Sequence, residues 1–339
     1  MLPQVAPQPR PSIDPVRRKL PPPPSRAAQL ASATPFPPAR VIPLTGPGAE
    51  DVVADAEGRL LCGLADGRII RVQPASGEEE TIGNTGGRPL GLHALEDGRI
   101  LICDAQLGLL RLNPETRNVE TLVSSVDGIP LRFCSNVVAA ADGSYWFTES
   151  TSRFDLEHYL GAMMEHRPSG RLFRRAEDGK VDVIADQLFF PNGLTLVGDG
   201  AALVFVETDG YRITRIELTG PNAGQSRVIV DNLPGFADNL SSFEDGRFWV
   251  AMVGPRNAGL DRAGTVPKAL RRLTWSKIDL APPTEGTTWA MAFDSNGAVV
   301  ADLQTTRSDF FGATGVVEVN NRLYLSAIDG DGLLELELS

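Results

Sequence analysis

Cysteine and histidine are scarce in this chain of 339 residues, with three of each. Cys62, Cys103 and Cys134 are too few, and odd in number, for a disulfide framework; they fit a reducing compartment. His93, His158 and His166 show no His-Glu-x-x-His arrangement, so the zinc-protease pattern is excluded. No apolar run approaches a membrane span, and the N-terminal residues hold no apolar core of the signal-peptide kind. A cytoplasmic location without a membrane span is therefore expected. No Gly-x-Ser-x-Gly elbow, P-loop or dinucleotide glycine pattern is present, which removes support from serine-hydrolase and nucleotide-binding readings. Basic charge is also short: 32 Lys and Arg stand against 43 Asp and Glu, a net charge of −11. That balance disfavours nucleic acid or an anionic membrane as partner.

The exception is the N-terminal segment. Residues 1–40 carry Arg10, Arg17, Arg18, Lys19, Arg26 and Arg40 against Asp14 alone, a local charge of +5 that leaves −16 for the remainder. Residues 1–39 form a Pro-rich extension, with Pro21 to Pro24 in a row, unfit for a helix or a central strand. Ile13, Val16, Leu20, Leu30 and Phe36 leave two readings open, a disordered tail or an extended strap on the surface of a domain at 40–339.

Gly and Pro are abundant, at 34 and 26 residues, and from residue 40 onward they mark a rhythm. Asp-Gly or a similar doublet recurs at Asp66-Gly67, Asp97-Gly98, Asp142-Gly143, Asp178-Gly179, Asp245-Gly246 and Asn296-Gly297, each beside a short β-type run such as Arg99-Ile-Leu-Ile-Cys103 or Arg247-Phe-Trp-Val-Ala251. These are hairpin signals with no alternating helices, so a parallel α/β sheet is unfavourable. Units of roughly 50 residues recur about six times, the range of propeller blades. The expected fold is all-β, a six-bladed β-propeller with blades near 49–82, 88–123, 133–185, 189–231, 236–280 and 287–338. Arg40–Leu44 could add a strand to the last blade and close the ring. Residues 153–167 interrupt the third unit with helix-forming composition, and read as a lid.

Polar residues stand at matching phases of this repeat: Glu50 in the first unit, Asn136 in the third, Asn192 in the fourth, Asp238 and Asn239 in the fifth. Asn192 lies in Phe189-Phe-Pro-Asn-Gly-Leu194, an apolar run where asparagine is a poor strand residue. Pro191 narrows the backbone there, and Gly193 permits a close approach. Taken singly, each residue reads more readily as a turn or cap than as a ligand. Together they would converge at the top of a central channel, and hard oxygen donors of this kind suit Ca²⁺ better than zinc. Cys134 reads as a small buried hydrophobe, since no histidine is placed to activate it.

Several motifs in order resemble one family: Gly87-Arg-Pro-Leu-Gly-Leu92, Trp146-Phe-Thr-Glu-Ser150, Phe190-Pro-Asn-Gly, Val206-Glu-Thr208 and Leu233-Pro-Gly-Phe-Ala-Asp-Asn239. The chain resembles the strictosidine-synthase-like proteins, grouped with the gluconolactonase/senescence-marker proteins and paraoxonases among calcium-dependent six-bladed propellers, over about residues 46–338. The resemblance implies Ca²⁺ held by Glu50, Asn136, Asn192, Asp238 and Asn239, with Val137 where an aspartate is common. It implies a hydrolase of lactones or aryl esters in which the metal polarises the carbonyl. Asp238 is the candidate catalytic residue, positioning or deprotonating water or attacking directly. His158 and His166 in the lid, with Glu149 and Glu207 in the motif strands, are candidates for substrate contact. The alternatives are a propeller with a structural metal that binds a ligand or protein, and a condensing enzyme of the strictosidine type. The window Thr314-Gly315-Val316-Val317 lacks the acid that condensation would use.

Overall fold

Asp97 Oδ1 accepts the backbone N–H of Arg99 at 3.0 Å while Gly98 takes φ 81°, and the chain reverses. The same device closes the turn after Asp142, whose Oδ1 accepts from Ser144 N. Side-chain acceptors and left-handed glycines thus cut the sequence into short antiparallel strands. The computed structural model describes residues 10–277 and 286–338.

Six four-stranded antiparallel sheets result, arranged as the blades of a propeller. Their inner strands are Val52–Ala54, Pro89–Ala94, Cys134–Ala139, Pro191–Val197, Gly235–Leu240 and Gly315–Val319. Ala39–Pro43 pairs with Gly332–Glu337 as the outer strand of the sixth blade, Val41 opposite Leu334, so the two ends of the ring are hydrogen-bonded together. Closure leaves only short edges exposed.

The core is divided rather than single. Apolar clusters lie between neighbouring blades, for example Leu101, Cys134 and Phe147 between the second and third, and Val204, Phe248 and Trp289 between the fourth and fifth. The second strand of each blade is therefore buried on both faces. That accounts for continuous apolar runs such as Phe248–Met252 where a half-exposed strand would alternate.

The expected boundaries of the last two blades need correction. Gly286–Phe293 and Val299–Arg307 are the third and fourth strands of the fifth blade, and the sixth begins at Gly315. The turn Asn296-Gly297 joins two strands of one blade, because a long excursion separates that blade's second strand from its third. The expected boundary at 280 lies outside the described residues. The excursion holds α2 (Ala258–Ala263) and α3 (Lys268–Lys277). Asn257 caps α2 by accepting from Gly259 N and Leu260 N, and Pro267 precedes α3.

The lid at 153–167 contains a 3₁₀ turn, Leu156–His158, and α1 (Tyr159–Glu165), which stops where His166 enters the left-handed region at φ 51°. These helices and the N-terminal extension form a cap over one end of the channel. Of the two readings of the extension, residues 10–38 adopt the strap. Val16 N donates to Glu165 O, Arg18 N to Gly264 O, and Trp275 Nε1 to Pro11 O. Farther along, Arg26 pairs with Asp302 on the outside of the fifth blade.

Candidate metal centre

The polar residues singled out above lie where the strand ladders break. Register shifts fall between Cys134 and Val137, between Pro191 and Leu194, and between Ala237 and Leu240. Asn136, Asn192, Asp238 and Asn239 occupy these irregular stretches, which turn side chains off the normal alternation and into the channel. Glu50 and Asp51 enter just before the first blade's inner strand. Phe190 takes φ 56° immediately before Pro191, an unfavourable place for a bulky residue. Glu207 helps hold it there: its Oε2 accepts Phe189 N at 2.8 Å, and Thr208 N donates to Phe190 O.

Glycines of the alternate blades make room. A Cβ on Gly193 would stand 2.5 Å from Asn239 Cα, and one on Gly91 would stand 2.5 Å from Asn136 Cα. One on Gly315 would lie 2.7 Å from Asp51 Cα. Blades two, four and six thus yield space to the site residues of blades three, five and one. The space at Gly315 leaves no place for the acidic side chain that a strictosidine-type condensation would need.

Two hydrogen-bonded sets of side chains make up the polar network of the site. Asn239 Nδ2 donates to Glu50 Oε1 at 3.0 Å, and Asn136 Nδ2 donates to Asn239 Oδ1 at 2.8 Å and to Asp51 Oδ2 at 3.1 Å. Asn192 Nδ2 donates to Asp238 Oδ1, while Asn192 Oδ1 accepts from Ser135 Oγ at 2.8 Å. The strand backbones are fixed too: Thr148 Oγ1 donates to Asn192 O, Thr208 Oγ1 to Ala237 O, and Thr314 Oγ1 to Glu50 O.

Two cavities meet this network from opposite ends of the channel. On the cap side a cavity of about 630 Å³ has Glu50, Asn192 and Asp238 on its floor. Asp51 and Asn136 instead line a second cavity of about 690 Å³ at the far end, and Asn239 is fully enclosed between them. The five residues expected to share a metal therefore form two layers, with Asn136 and Asn239 behind the other three.

The carboxyls show what the floor demands. Burial pushes Glu50 well above the usual carboxylate range, and Asp238 and Asp51 raise it further. Burial does the same to Asp238, with Asp51 adding and the donation from Asn192 opposing. Asp51 is pushed up to about 7 by burial, against hydrogen bonds from Leu92, Val52 and Asn136. Glu50 Oε2 is buried with no hydrogen-bond partner among the described residues. Three crowded carboxyls and one orphaned oxygen fit a bound divalent cation, which would satisfy the oxygen and relieve the repulsion.

Four expected substrate contacts do not reach the cap-side cavity. His158 Nδ1 bonds Asp155 Oδ1 at 2.8 Å and its ring sits edge-on to Trp275, because Leu156, Leu160 and Met163 occupy the helical face that meets the cavity. His166 is buried at the end of α1, with Nε2 against Leu260 O. Glu149 is fully buried, accepting from Arg132 N and Arg171 Nε, and Glu207 is likewise committed to Phe189 N, Arg212 and Thr214. These two glutamates brace the approach to Cys134–Ala139 and Pro191–Val197. Asp51, which the sequence reading missed, was signalled only by its place beside Glu50. Arg88, also missed, lines the cavity within the electrostatic reach of Glu50.

The sequence description SMP-30/Gluconolactonase/LRE-like region matches residues 49–270. The chain belongs to that family. It is 34% identical to adipocyte plasma membrane-associated protein of Mus musculus over 226 residues, which is 61% of this chain and 53% of that protein. It is 33% identical to Protein STRICTOSIDINE SYNTHASE-LIKE 13 of Arabidopsis thaliana over 234 residues, 60% of this chain and 58% of that one. The matched part thus spans little more than half the length of these relatives. Among solved structures, a gluconolactonase from Xanthomonas campestris superposes with a TM-score of 0.63 at 17% identity, covering 97% of this chain and 99% of the other. The calcium-binding protein regucalcin from Agrobacterium tumefaciens gives 0.64 at 17% identity, covering 91% and 96%. At such identity the structural likeness shows the propeller fold alone.

Proposed function

We propose that this chain is a divalent-cation-dependent hydrolase of lactones or aryl esters, with Ca²⁺ as the cation. The observation that carries the reading is the floor of the cap-side cavity, where Glu50, Asn192 and Asp238 converge and Glu50 Oε2 has no partner among the described residues. Membership of the SMP-30/gluconolactonase family supports a lactonase-type activity in general terms.

Glu50, Asn192 and Asp238 would hold the ion, with Asn136 and Asn239 fixing them from behind. Bound there, Ca²⁺ supplies a Lewis acid for the carbonyl oxygen of the substrate. Asn239 keeps the Glu50 carboxyl oriented through the 3.0 Å bond to Oε1. Asp238 is the group placed to accept a proton from water as its oxygen bonds the carbonyl carbon, or to make that bond itself. When water attacks, the acyl–oxygen bond then breaks and the alcohol leaves carrying that proton. When Asp238 attacks, the alkoxide leaves as the acyl–Asp238 anhydride forms, and water then cleaves the anhydride to the acid while its proton goes to the alkoxide. In a lactone both products remain one hydroxy acid. The apolar walls exclude bulk water from these steps.

The partner in this reading is a small neutral ester or lactone. No helix among the described residues is long and apolar enough to cross a membrane. The cytoplasmic placement inferred from the three cysteines, all free and buried, belongs to the same proposal.

Turnover of phenyl acetate and of a δ-lactone, measured with Ca²⁺, with chelator and after Ca²⁺ is restored, tests it. Activity should vanish and return, and Asp238→Ala should abolish it. If Ca²⁺ raises the melting temperature but neither substrate is hydrolysed, the metal is structural and the enzyme reading fails. If chelation changes neither activity nor melting, the metal site itself is wrong.

A further inference from the structure

Above its floor the cap-side cavity changes character. Its wall is hydrocarbon: Phe133 and Phe190 from the propeller, Leu160 and Met163 from α1, Leu260 from α2, Phe236 from the fifth blade. Three of the four hydroxyls along it already spend their protons within the protein, and the fourth, on Tyr159 of α1, stands half exposed. Ser135 Oγ donates to Asn192 Oδ1 at 2.8 Å, Thr208 Oγ1 to Ala237 O at 2.7 Å and Thr314 Oγ1 to Glu50 O at 2.6 Å. Arg88 donates to Pro89 O, and the acids Glu157 and Asp329 are exposed at the rim. A guest with many hydroxyls would bury most of them here against carbon, whereas a hydrocarbon guest gains contact with the wall above the polar floor.

This wall is built and braced by parts added to the propeller. Phe133, Met163 and Phe190 share one buried cluster with Ile13 of the strap and Trp275 of α3. The opposite mouth of the channel is different, with Arg247 paired to Glu318 and Trp249 Nε1 donating to the same carboxylate. Hydrocarbon is therefore a property of the capped end and not of the channel as a whole.

We propose that the substrate of this site is a lactone or ester whose acyl or aryl part is a hydrocarbon ring or chain, and that the cap excludes polyhydroxylated lactones. This rests on the hydrolase reading above. A cavity of about 630 Å³ holds a ring with a chain of several carbons.

The test uses the full Ca²⁺-loaded chain and compares δ-decalactone and phenyl acetate with glucono-δ-lactone. The expected kcat/KM is at least about 100-fold higher for δ-decalactone than for the sugar lactone, a difference of about 2.7 kcal/mol at the transition state. Leu260→Asn, at a half-buried position, and Met163→Asn on the other helix should each shrink that ratio at least tenfold through KM for δ-decalactone, while the Ca²⁺-induced rise in melting temperature is kept. Equal or faster turnover of glucono-δ-lactone overturns the substrate class and leaves the hydrolase reading standing. A ratio unchanged in a folded Leu260→Asn protein overturns the role given to the cap. No turnover of any of the three with Ca²⁺ bound removes the hydrolase reading and this inference with it.

Discussion

Asn239 Nδ2 and Glu50 Oε1 lie 3.0 Å apart, a bond between the fifth blade and the first across 189 positions of sequence. The same amide accepts from Asn136 Nδ2, so one side chain ties three blades at the channel axis. Its position depends on Gly193 of the fourth blade, since a Cβ there would sit 2.5 Å from both Asn239 Cα and Leu240 N. Backbone atoms cannot swing aside as a side chain can. Gly193→Ala should therefore destabilise the protein by about 1–3 kcal/mol, the scale of overpacking in a dense core, and displace Asn239 from Glu50. Urea unfolding followed by tryptophan fluorescence should show a lower midpoint, and Ca²⁺ titration a weaker affinity. A wild-type midpoint and affinity would mean that the site does not need this close approach.

Glu50→Gln separates the two states of the site by sign. In the metal-free protein Glu50 is a buried carboxyl whose ionised form is opposed by burial and by Asp238 and Asp51. An amide of the same shape removes that cost, whether it is met as repulsion or as uptake of a proton on folding, and should raise the metal-free melting temperature at neutral pH. It also removes a charged donor, so Ca²⁺ affinity should fall at least about tenfold. Differential scanning calorimetry with chelator and with Ca²⁺ reads both effects. A variant that is less stable without metal and equally stabilised by Ca²⁺ would contradict this account of the floor.

Asp51 gives the metal-free protein an inverted pH dependence. Its folded-state value is about 7, raised by burial from an ordinary value near 3.8. Between those values the folded chain holds a proton that the unfolded chain has lost, so stability must fall as pH rises through that window. The loss is on the order of a few kcal/mol. With chelator present the protein should melt higher at pH 5 than at pH 7.5, and Asp51→Asn should flatten the slope. Ca²⁺ favours ionised carboxyls and should oppose the trend. A chelated protein more stable at pH 7.5 than at pH 5, with an unchanged slope in Asp51→Asn, would show that Asp51 is ionised in the folded state.

Much of this architecture is visible in the residues themselves. Turn doublets and two-face-buried strands mark the blades, and acids or amides inside apolar strands mark Asn136, Asn192, Asp238 and Asn239. The repeat loses its phase in the fifth blade, where the excursion carrying α2 and α3 splits a sheet whose own strands are regular. Asn257 and Pro267 start those helices, but a unit length of about 50 residues absorbs the stretch into a blade. Asp51 was hidden by Glu50: adjacent residues on extended chain face opposite ways, and one serves each cavity. His158, His166, Glu149 and Glu207 show the converse limit. Residue type indicates what chemistry is available, while direction is decided by packing partners such as Trp275, Arg171 and Arg212, distant in sequence or in the next strand.

The strap should behave as a clamp on the cap and only weakly as a support of the propeller. Ile13 is 2% exposed within the cap cluster, Arg271 Nη2 donates to Val16 O, and Arg271 Nη1 donates to Met164 O, so one buried arginine joins strap, α1 and α3. Asp14 pairs with Arg167 and Arg272 at the surface, contacts that contribute about 0–1 kcal/mol each. The buried anchors matter more: Ile13→Asp places a carboxylate in hydrocarbon and should release the strap at a cost of about 3 kcal/mol or more to the cap. The six blades keep their own inter-blade clusters and the pairing of Ala39–Pro43 with Gly332–Glu337. Limited trypsin digestion of Ile13→Asp should therefore cut within 153–167 and 256–277 well before the blades, and hydrogen exchange should rise in α1 and α3 first. Uniform loss of protection through all six blades would show that the strap supports the whole fold, and unchanged protection in α1 and α3 would show that the cap stands without it.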